Sequence, residues 1–356
     1  MSLHTISGVE LNLLLLIFLG FAVGTISGFS GAGGGFLMTP ALIVLGLPAS
    51  FATGTSLMWV AGNSIVGSFR HRELGNVDMK LAIITLFSMM SGLEIGVRLL
   101  NTVRDRGVAN EAVLAASILV LLLVGAYTFR ESMKRKKELD QMHKAGEKLP
   151  PPVAGLTLIS RKLQSLKIPP MVHLKTAKLT MSLWVVAMVG IFIGTLAGFI
   201  GVGGGFIMVP SMVYIIGAPS FVAVGTNIFQ EVFSASYGAI RHSMSGNVEI
   251  FTAFIMVLSA SVGVQLGAQA TKYLRGVSMR FTLSFAILFA AIGAILKLLY
   301  FTLPETNWLS AASIMTTFGG TGLVLALILW LFLMGLSYQR GRKIPDWAVS
   351  LVAREE

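Results

Sequence analysis

Apolar residues run along this chain in stretches of about 20, broken by short polar intervals, from about residue 11 onward. Each stretch is long enough to cross the ~30 Å hydrocarbon layer of a bilayer as a helix. The first half reads as helices at about 11–30, 51–69, 79–100 and 111–130, with a short apolar segment at 36–46. The second half reads as helices at about 181–199, 221–240, 250–271 and 279–301, with a short segment at 206–216. A further run at about 311–336 precedes a basic stretch holding Arg340, Arg342 and Lys343. The pattern predicts an all-α polytopic membrane protein of about 9–11 helical segments. No Lys or Arg precedes the first run and no small-residue cleavage site follows it, so it reads as a retained helix rather than a signal peptide.

The two halves repeat one another. Residues 24–40 read GTISGFSGAGGGFLMTP and residues 194–210 read GTLAGFIGVGGGFIMVP, an offset of 170. Arg70-His71 with Gly75-Asn76-Val77-Asp78 returns as Arg241-His242 with Gly246-Asn247-Val248-Glu249, now at an offset of 171. One residue is therefore inserted between Pro210 and Gly217. Gly92 and Gly96 recur as Gly263 and Gly267, and the series Gly20, Gly24, Gly28 as Gly190, Gly194, Gly198. Small residues at that spacing let helices approach closely in lipid. The chain divides into a first transmembrane repeat (1–130), a basic linker (131–180), a second repeat (181–302) and an extra helix with a basic tail (303–356).

Composition agrees and narrows the chemistry. Hydrophobic residues make up 54% and charged residues 12%, against about 25% charged in a soluble domain. Net charge is +11, and residues 130–178 hold 12 of the 27 basic residues against four acids. Basic loops sit on the cytoplasmic side and against anionic lipid, so the excess points to membrane rather than nucleic acid. The linker reads as a mobile cytoplasmic loop, with Leu156 to Ile168 as an amphipathic piece. If the short segments count as crossings, each repeat crosses five times and the halves are inverted. The loop with Lys272, Arg275 and Arg280 then joins the linker and tail on one side; if the segments are re-entrant it does not. The inverted arrangement is favoured. Cysteine is absent, His residues number five without metal spacing, and no phosphate-binding loop occurs. No cofactor or metal is expected, nor an enzyme's nucleophile–base pair.

Gly31, Gly33, Gly34 and Gly35, with Pro40 beyond, cannot continue an ordinary helix cheaply, and Gly201, Gly203, Gly204 and Gly205 repeat the break. Irregular backbone survives at membrane depth only inside protein or along a watery cavity. Matched breaks in two halves point to a transporter's central site, where freed N–H groups suit an anion. Close helix packing is the competing use of such glycines.

The doubled G-x-GGG-[FL]-[LIM]-x-x-P pattern, followed by Gly54-Thr55-Ser56 or Gly225-Thr226-Asn227 and then the [RH]-H…G-x-[VI]-[DE] loop, resembles the TauE/SafE sulfite exporter family over residues 10–300. That resemblance implies proton-linked secondary transport of a small sulfur oxyanion or organosulfonate, by a protein of the bacterial cytoplasmic membrane. A passive anion channel and a small-carboxylate transporter of the same fold stay open, as does homo-oligomerisation. The long linker and the extra C-terminal helix depart from compact members.

Around the breaks, Thr55, Ser56, Asn63, Thr226 and Asn227 are candidate anion ligands, with helix–helix hydrogen bonding as the alternative. Glu231, beside Gln230, lies mid-span and is a candidate proton carrier; its duplicate is Val60. Arg70, His71, Arg241 and His242 are candidates for gating or anion attraction at the mouths, or for anchoring at headgroups. Glu94 and Arg98, four apart, read as a self-cancelling ion pair. Lys297 is expected to snorkel, and the Trp residues to face lipid or the interface.

Overall fold

The computed structural model describes residues 2–73, 75–145, 158–165, 168–271, 273–303, 306–343 and 345–352. A ribbon of β1 (Ser2–His4) and β2 (Glu10–Asn12) leads into α1 (Leu13–Ser30), α2 (Gly35–Val44), α3 (Ala49–Glu73), α4 (Met79–Asp105) and α5 (Ala109–Lys144). After α6 (Leu158–Ser165) the order returns: β3 (Met171–Leu174), β4 (Leu179–Ser182) and α7 (Leu183–Ile200), then α8 (Gly205–Ser211, running on as a π-helical turn over Met212–Ile216). Next come α9 (Ser220–Met244), α10 (Ile250–Ala270), α11 (Gly276–Thr302), α12 (Asn307–Gln339) and α13 (Asp346–Val352). The π turn falls where the offset between the repeats grows from 170 to 171. One extra residue is absorbed as a local i→i+5 winding.

Seven described helices (α1, α4, α5, α7, α10, α11, α12) are long and apolar enough to cross a membrane, and the chain is an integral membrane protein. Large apolar side chains such as Phe251, Phe254, Leu258 and Val262 point outward along α10, which only a lipid environment tolerates on that scale. The other long pair, α3 and α9, has 25 residues each, about 37 Å of helix. Their Gly, Ser, Thr and Asn content lowers their hydropathy; they pack against each other, while Ile65 and Phe69 of α3 and Phe233 and Ile240 of α9 still face outward.

Contacts between glycines fix the directions. A methyl placed on Gly20, Gly24 or Gly28 would strike Met256, Ala260 and Val264 in turn, so α1 and α10 run parallel in close contact. Gly190, Gly194 and Gly198 meet Ser88, Met89 and Leu93 in the same way, pairing α7 with α4. These glycine series serve packing: the distances to neighbouring main chain leave no room for a Cβ. Each half thus lends its first helix to the fourth helix of the other. Gly54, early in α3, abuts Asn247 and His242 at the far end of α9, while Gly225, early in α9, abuts Asn76 just past α3. The equivalent helices α3 and α9 are therefore antiparallel.

Several expectations need correction. The all-α architecture holds, with the addition of a short two-stranded ribbon at the start of each repeat. α5 continues to Lys144 instead of ending near 130, so residues 131–144 of the linker are helix and the border at 130/131 falls inside it. Lys148, Pro150–Pro152 and Leu156 lie outside the described residues. Lys297 does not reach the interface. It is buried and donates to the Val44 carbonyl at 3.3 Å, at the C-terminal end of α2, under the rings of Tyr300 and Phe301. Trp59 is buried too, its indole N–H on the Met256 carbonyl at 3.1 Å.

The basic segments gather on one face. Arg280 at the start of α11 contacts Glu131 and Tyr214, Arg275 N–H and Ser278 Oγ donate to Leu351 of α13, and Lys136 of α5 lies over the Trp347 ring.

Candidate functional site

The two breaks form alike because their glycines do. Gly34 and Gly204 stand at the N-caps of α2 and α8 with φ of 77° and 81°, a left-handed conformation that a side chain resists. Their carbonyls start the helices, accepting from Leu37 and Met38, and from Ile207 and Met208. The amides ahead of that point have no intrahelical acceptor. The break carbonyls are taken from the side: Asn227 Nδ2 donates to Gly31 O at 3.3 Å, Thr39 Oγ1 to Gly201 O at 3.1 Å and Ser56 Oγ to Gly35 O at 3.5 Å. The first-turn amides of α2 and α8 add N–H dipoles at the centre.

The breaks also touch. A Cβ on Gly35 would meet Val202 O at 2.4 Å, and one on Gly205 would meet Ala32 C and O at 2.8 Å. Phe36 and Phe206, the next residue of each helix, pack with ring centroids 5.3 Å apart and planes tilted by 34°. Two helix N-termini thus converge where the repeats cross. Residues 22–44 and 200–206 are almost entirely buried, so this conformation shuts the crossing off from both sides.

Glu231 reaches into the crossing. It is 0% exposed, and its Oε1 would lie 2.5 Å from a Cβ on Gly33 and 2.4 Å from one on Gly205. Oε2 accepts from Ser64 Oγ at 3.3 Å, and the carboxylate faces the Gly205 amide and the Asn227 side chain. Oε1 completes no hydrogen bond of normal geometry, and Asn63 Oδ1, Gln230 Oε1 and Ser234 Oγ are likewise buried without partners among the described residues. Asn63 Nδ2 donates to Ser27 Oγ at 2.8 Å, and Gln230 Nε2 to Asn227 Oδ1 at 3.2 Å. A buried polar group left unpaired is costly, and three of these groups, on Asn63, Gln230 and Glu231, belong to side chains that also bond to Ser27, Asn227 and Ser64. At the mirrored position, Gly203 meets the methyls of Val60.

The remaining candidates sit elsewhere. Thr55 Oγ1 accepts from the Glu249 amide and Thr226 Oγ1 from the Asp78 amide, each at 2.9 Å. These hydroxyls hold the GNV loop of the opposite repeat. The loop acids, whose duplication was visible without a role attached, are clasped in turn. Glu249 accepts from the amides of Ile6 and Ser7 (3.0 and 2.7 Å), and Asp78 from those of Thr176 and Ala177 (2.8 and 3.2 Å). Each ribbon tip therefore latches onto the other half.

Arg241 and His242 both bond within the protein. His242 is buried, donating from Nε2 to Gly198 O at 3.0 Å, with Nδ1 unpartnered among the described residues. Arg241 binds Glu94 through two contacts of 2.6 and 2.9 Å, Tyr237 adds a third, and Arg98 a fourth at 2.8 Å. Glu94 thus keeps the expected pair with Arg98 on its own helix and is shared with α9 as well. Arg70 and His71 stand in the last turns of α3, and their side chains lie outside the described residues. Ser27, Ser64 and Trp59 joined the site without a sequence signal beyond their neighbours. Tyr214, in short contact with Glu131, was also unforeseen; the inserted residue nearby was its clue.

Comparison with known proteins agrees with this architecture. The sulfite exporter TauE/SafE family matches over residues 16–296 and again over 186–352. Two Bacillus subtilis relatives are named probable membrane transporter proteins: YunE, 24% identical over 74% of this chain and 89% of its own, and YjnA, 23% identical over 78% and 97%. A third, MJ0441 of Methanocaldococcus jannaschii, also a probable membrane transporter protein, is 27% identical over 55% of this chain and 60% of its own. No solved structure matches significantly. Built from two like repeats that cross at paired glycine breaks, the chain belongs to the sulfite exporter TauE/SafE family, a family of membrane transporters and not of enzymes.

Proposed function

We propose that the protein is a secondary transporter that moves a small anion, most suitably sulfite or another sulfur oxyanion or organosulfonate, across the bacterial cytoplasmic membrane by alternating access. The convergence of two helix N-termini on one buried crossing carries the reading. Amide dipoles there favour negative charge without a fixed cation, and the shut crossing suits an intermediate between two open states. The antiparallel run of α3 against α9 supports inverted repeats, because a two-fold axis lying in the membrane plane turns one copy over. The gathering of the linker, Arg275, Arg280 and α13 on one face supports a cytoplasmic location for that face. Glu231 is the proton carrier in this scheme, and lipids are the other partners.

A carboxylate substrate is the second reading, favoured by one observation: the group now seated at the crossing is itself a carboxylate. Proteoliposomes loaded with the purified protein test both. Sulfite, thiosulfate, sulfate, taurine, sulfoacetate and small carboxylates are offered with and without a pH gradient. Accumulation driven by protons supports secondary transport, whereas flux that only dissipates an anion gradient identifies a channel.

A further inference from the structure

The anion cradle at the crossing is already occupied by the protein. Glu231 Oε1 lies against Gly33 of one break and Gly205 of the other, where an incoming anion would take its amide contacts. Among the described residues this carboxylate has no ion pair, and its contacts (Ser64, Asn227 and the main chain of the breaks) are all uncharged. Two negative charges cannot share so confined and water-poor a site, since nothing nearby screens them. We infer that Glu231 is a tethered competitor: its carboxylate fills the substrate-free cradle, and the transported anion enters only as Glu231 takes up one proton. The proton comes from water on the open side, converting the carboxylate to the neutral acid. It is released when the anion leaves and the carboxylate returns. One proton then travels with each anion. The cradle, sized for a carboxylate, selects planar carboxylates and small oxyanions. This inference rests on the anion-transport reading and adds the coupling device to it.

The asymmetry of the duplicate supports it. At the equivalent place on α3 stands Val60, packed on Gly203, so a single carboxylate serves both breaks and the ratio is one. Other ionisable groups lie farther off. Arg70 and His71 are six and seven residues beyond Ser64 on α3, about 9 Å and more along the axis. Arg241 and His242 are ten and eleven residues beyond Glu231 on α9, with Glu94 and Arg98 of α4 bound to Arg241. α1, α2 and the described part of α10 carry none within their helices.

Binding of thiosulfate, sulfate and methanesulfonate, whose charges are constant from about pH 5 to about pH 9, is measured on the purified full chain by calorimetry. One linked proton requires the affinity of the wild-type protein to fall about tenfold per pH unit where Glu231 is ionised. Glu231→Gln, which holds the neutral form permanently, should bind with no pH slope and exchange anions while losing accumulation driven by a pH gradient. The inference is overturned by a flat wild-type profile, by a slope that survives in Glu231→Gln, or by a slope lost in His71→Gln instead. If Glu231→Gln does not purify as a monodisperse protein, the wild-type slope and the protons counted per anion in proteoliposomes decide alone. A wild-type protein that binds and moves no anion fails the transport reading itself, a different result from any of these.

Discussion

Gly205→Ala is the sharpest test of the crossing. Gly205 is the first residue of α8 and has no positive φ, so alanine brings no backbone strain and acts through its methyl alone. That methyl would sit 2.4 Å from Glu231 Oε1 and 2.8 Å from Ala32 C and O. Ordinary contact needs about 3.4 Å, so the break must retreat by about 1 Å, and overpacking of this kind costs about 1–3 kcal/mol. In binding terms that is about 5- to 150-fold. Gly35→Ala imposes a similar steric load against Val202 O at 2.4 Å without touching the carboxylate. Gly322→Ala, whose methyl would have only Phe18 Cζ at 3.6 Å, serves as the neutral control. All three are purified, checked for monodispersity, and titrated with the anion that binds the wild type best. Both break variants should lose affinity and flux, Gly205→Ala the more, while Gly322→Ala matches wild type. Wild-type affinity and flux in both break variants would refute the assignment of the crossing as the site.

Other consequences of the packing are equally direct. Gly263→Leu and Gly92→Leu, where even a Cβ would lie 2.2 Å from Phe21 O and 2.1 Å from Ile191 O, should wedge α1 from α10 and α4 from α7; size-exclusion profiles should show loss of the monodisperse protein, and normal profiles would mean the helices are not in contact. Glu249→Gln and Asp78→Asn each weaken a carboxylate that accepts two amides from a ribbon tip, about 1.5–3 kcal/mol per charged bond. Hydrogen exchange should rise at Ile6 and Ser7 in the first and at Thr176 and Ala177 in the second, without crossover. The chain lacks cysteine, so single substitutions Ser7→Cys and Thr176→Cys give clean labels: impermeant maleimide should reach them from opposite sides of the membrane, and labelling from the same side would contradict inversion of the repeats.

Much of this was written in the spacing of residues. Duplicated glycines gave the two halves, their broken helices and the glycine faces that pack closely, though not which helices they pack on, because a missing Cβ leaves the same trace in sequence as in packing. The ribbons before α1 and α7 were not legible. Three or four residues of strand carry too little alternation to stand out beside an apolar run. The extension of α5 was hidden by its charges, since Lys134 to Lys137 read as loop when hydropathy is the only guide. Thr55 and Thr226 looked like ligands from their place after the breaks. Their hydroxyls are instead taken by amides from the other repeat, and long-range partners of that kind leave no local signal. Glu231 did stand out, because a carboxylate within an apolar span is rare, but its position against both breaks at once needed coordinates.

The departures from symmetry say more about mechanism than the symmetry does. A duplicated framework gives two nearly equivalent arrangements, open to one side or the other, that differ by exchanging the roles of the halves. With only the shared glycines at the crossing, such a framework would leave nothing to couple a second species to the first. Here Glu231 corresponds to Val60, Gln230 to Trp59 and Asn227 to Ser56 in the other repeat, so each of these polar positions differs between halves while the glycines that shape the cradle do not. The shared glycines set where an anion can lie, and the unshared side chains set the terms of its entry. The mutations that matter most for coupling are therefore those that restore symmetry. Val60→Glu would place a second carboxylate against Gly203, opposite the first. If the competitor scheme holds, both must be neutralised before an anion enters, and the pH slope of binding steepens from one proton toward two. An unchanged slope in a folded Val60→Glu protein would mean that the carboxylate at the crossing does not compete with the substrate.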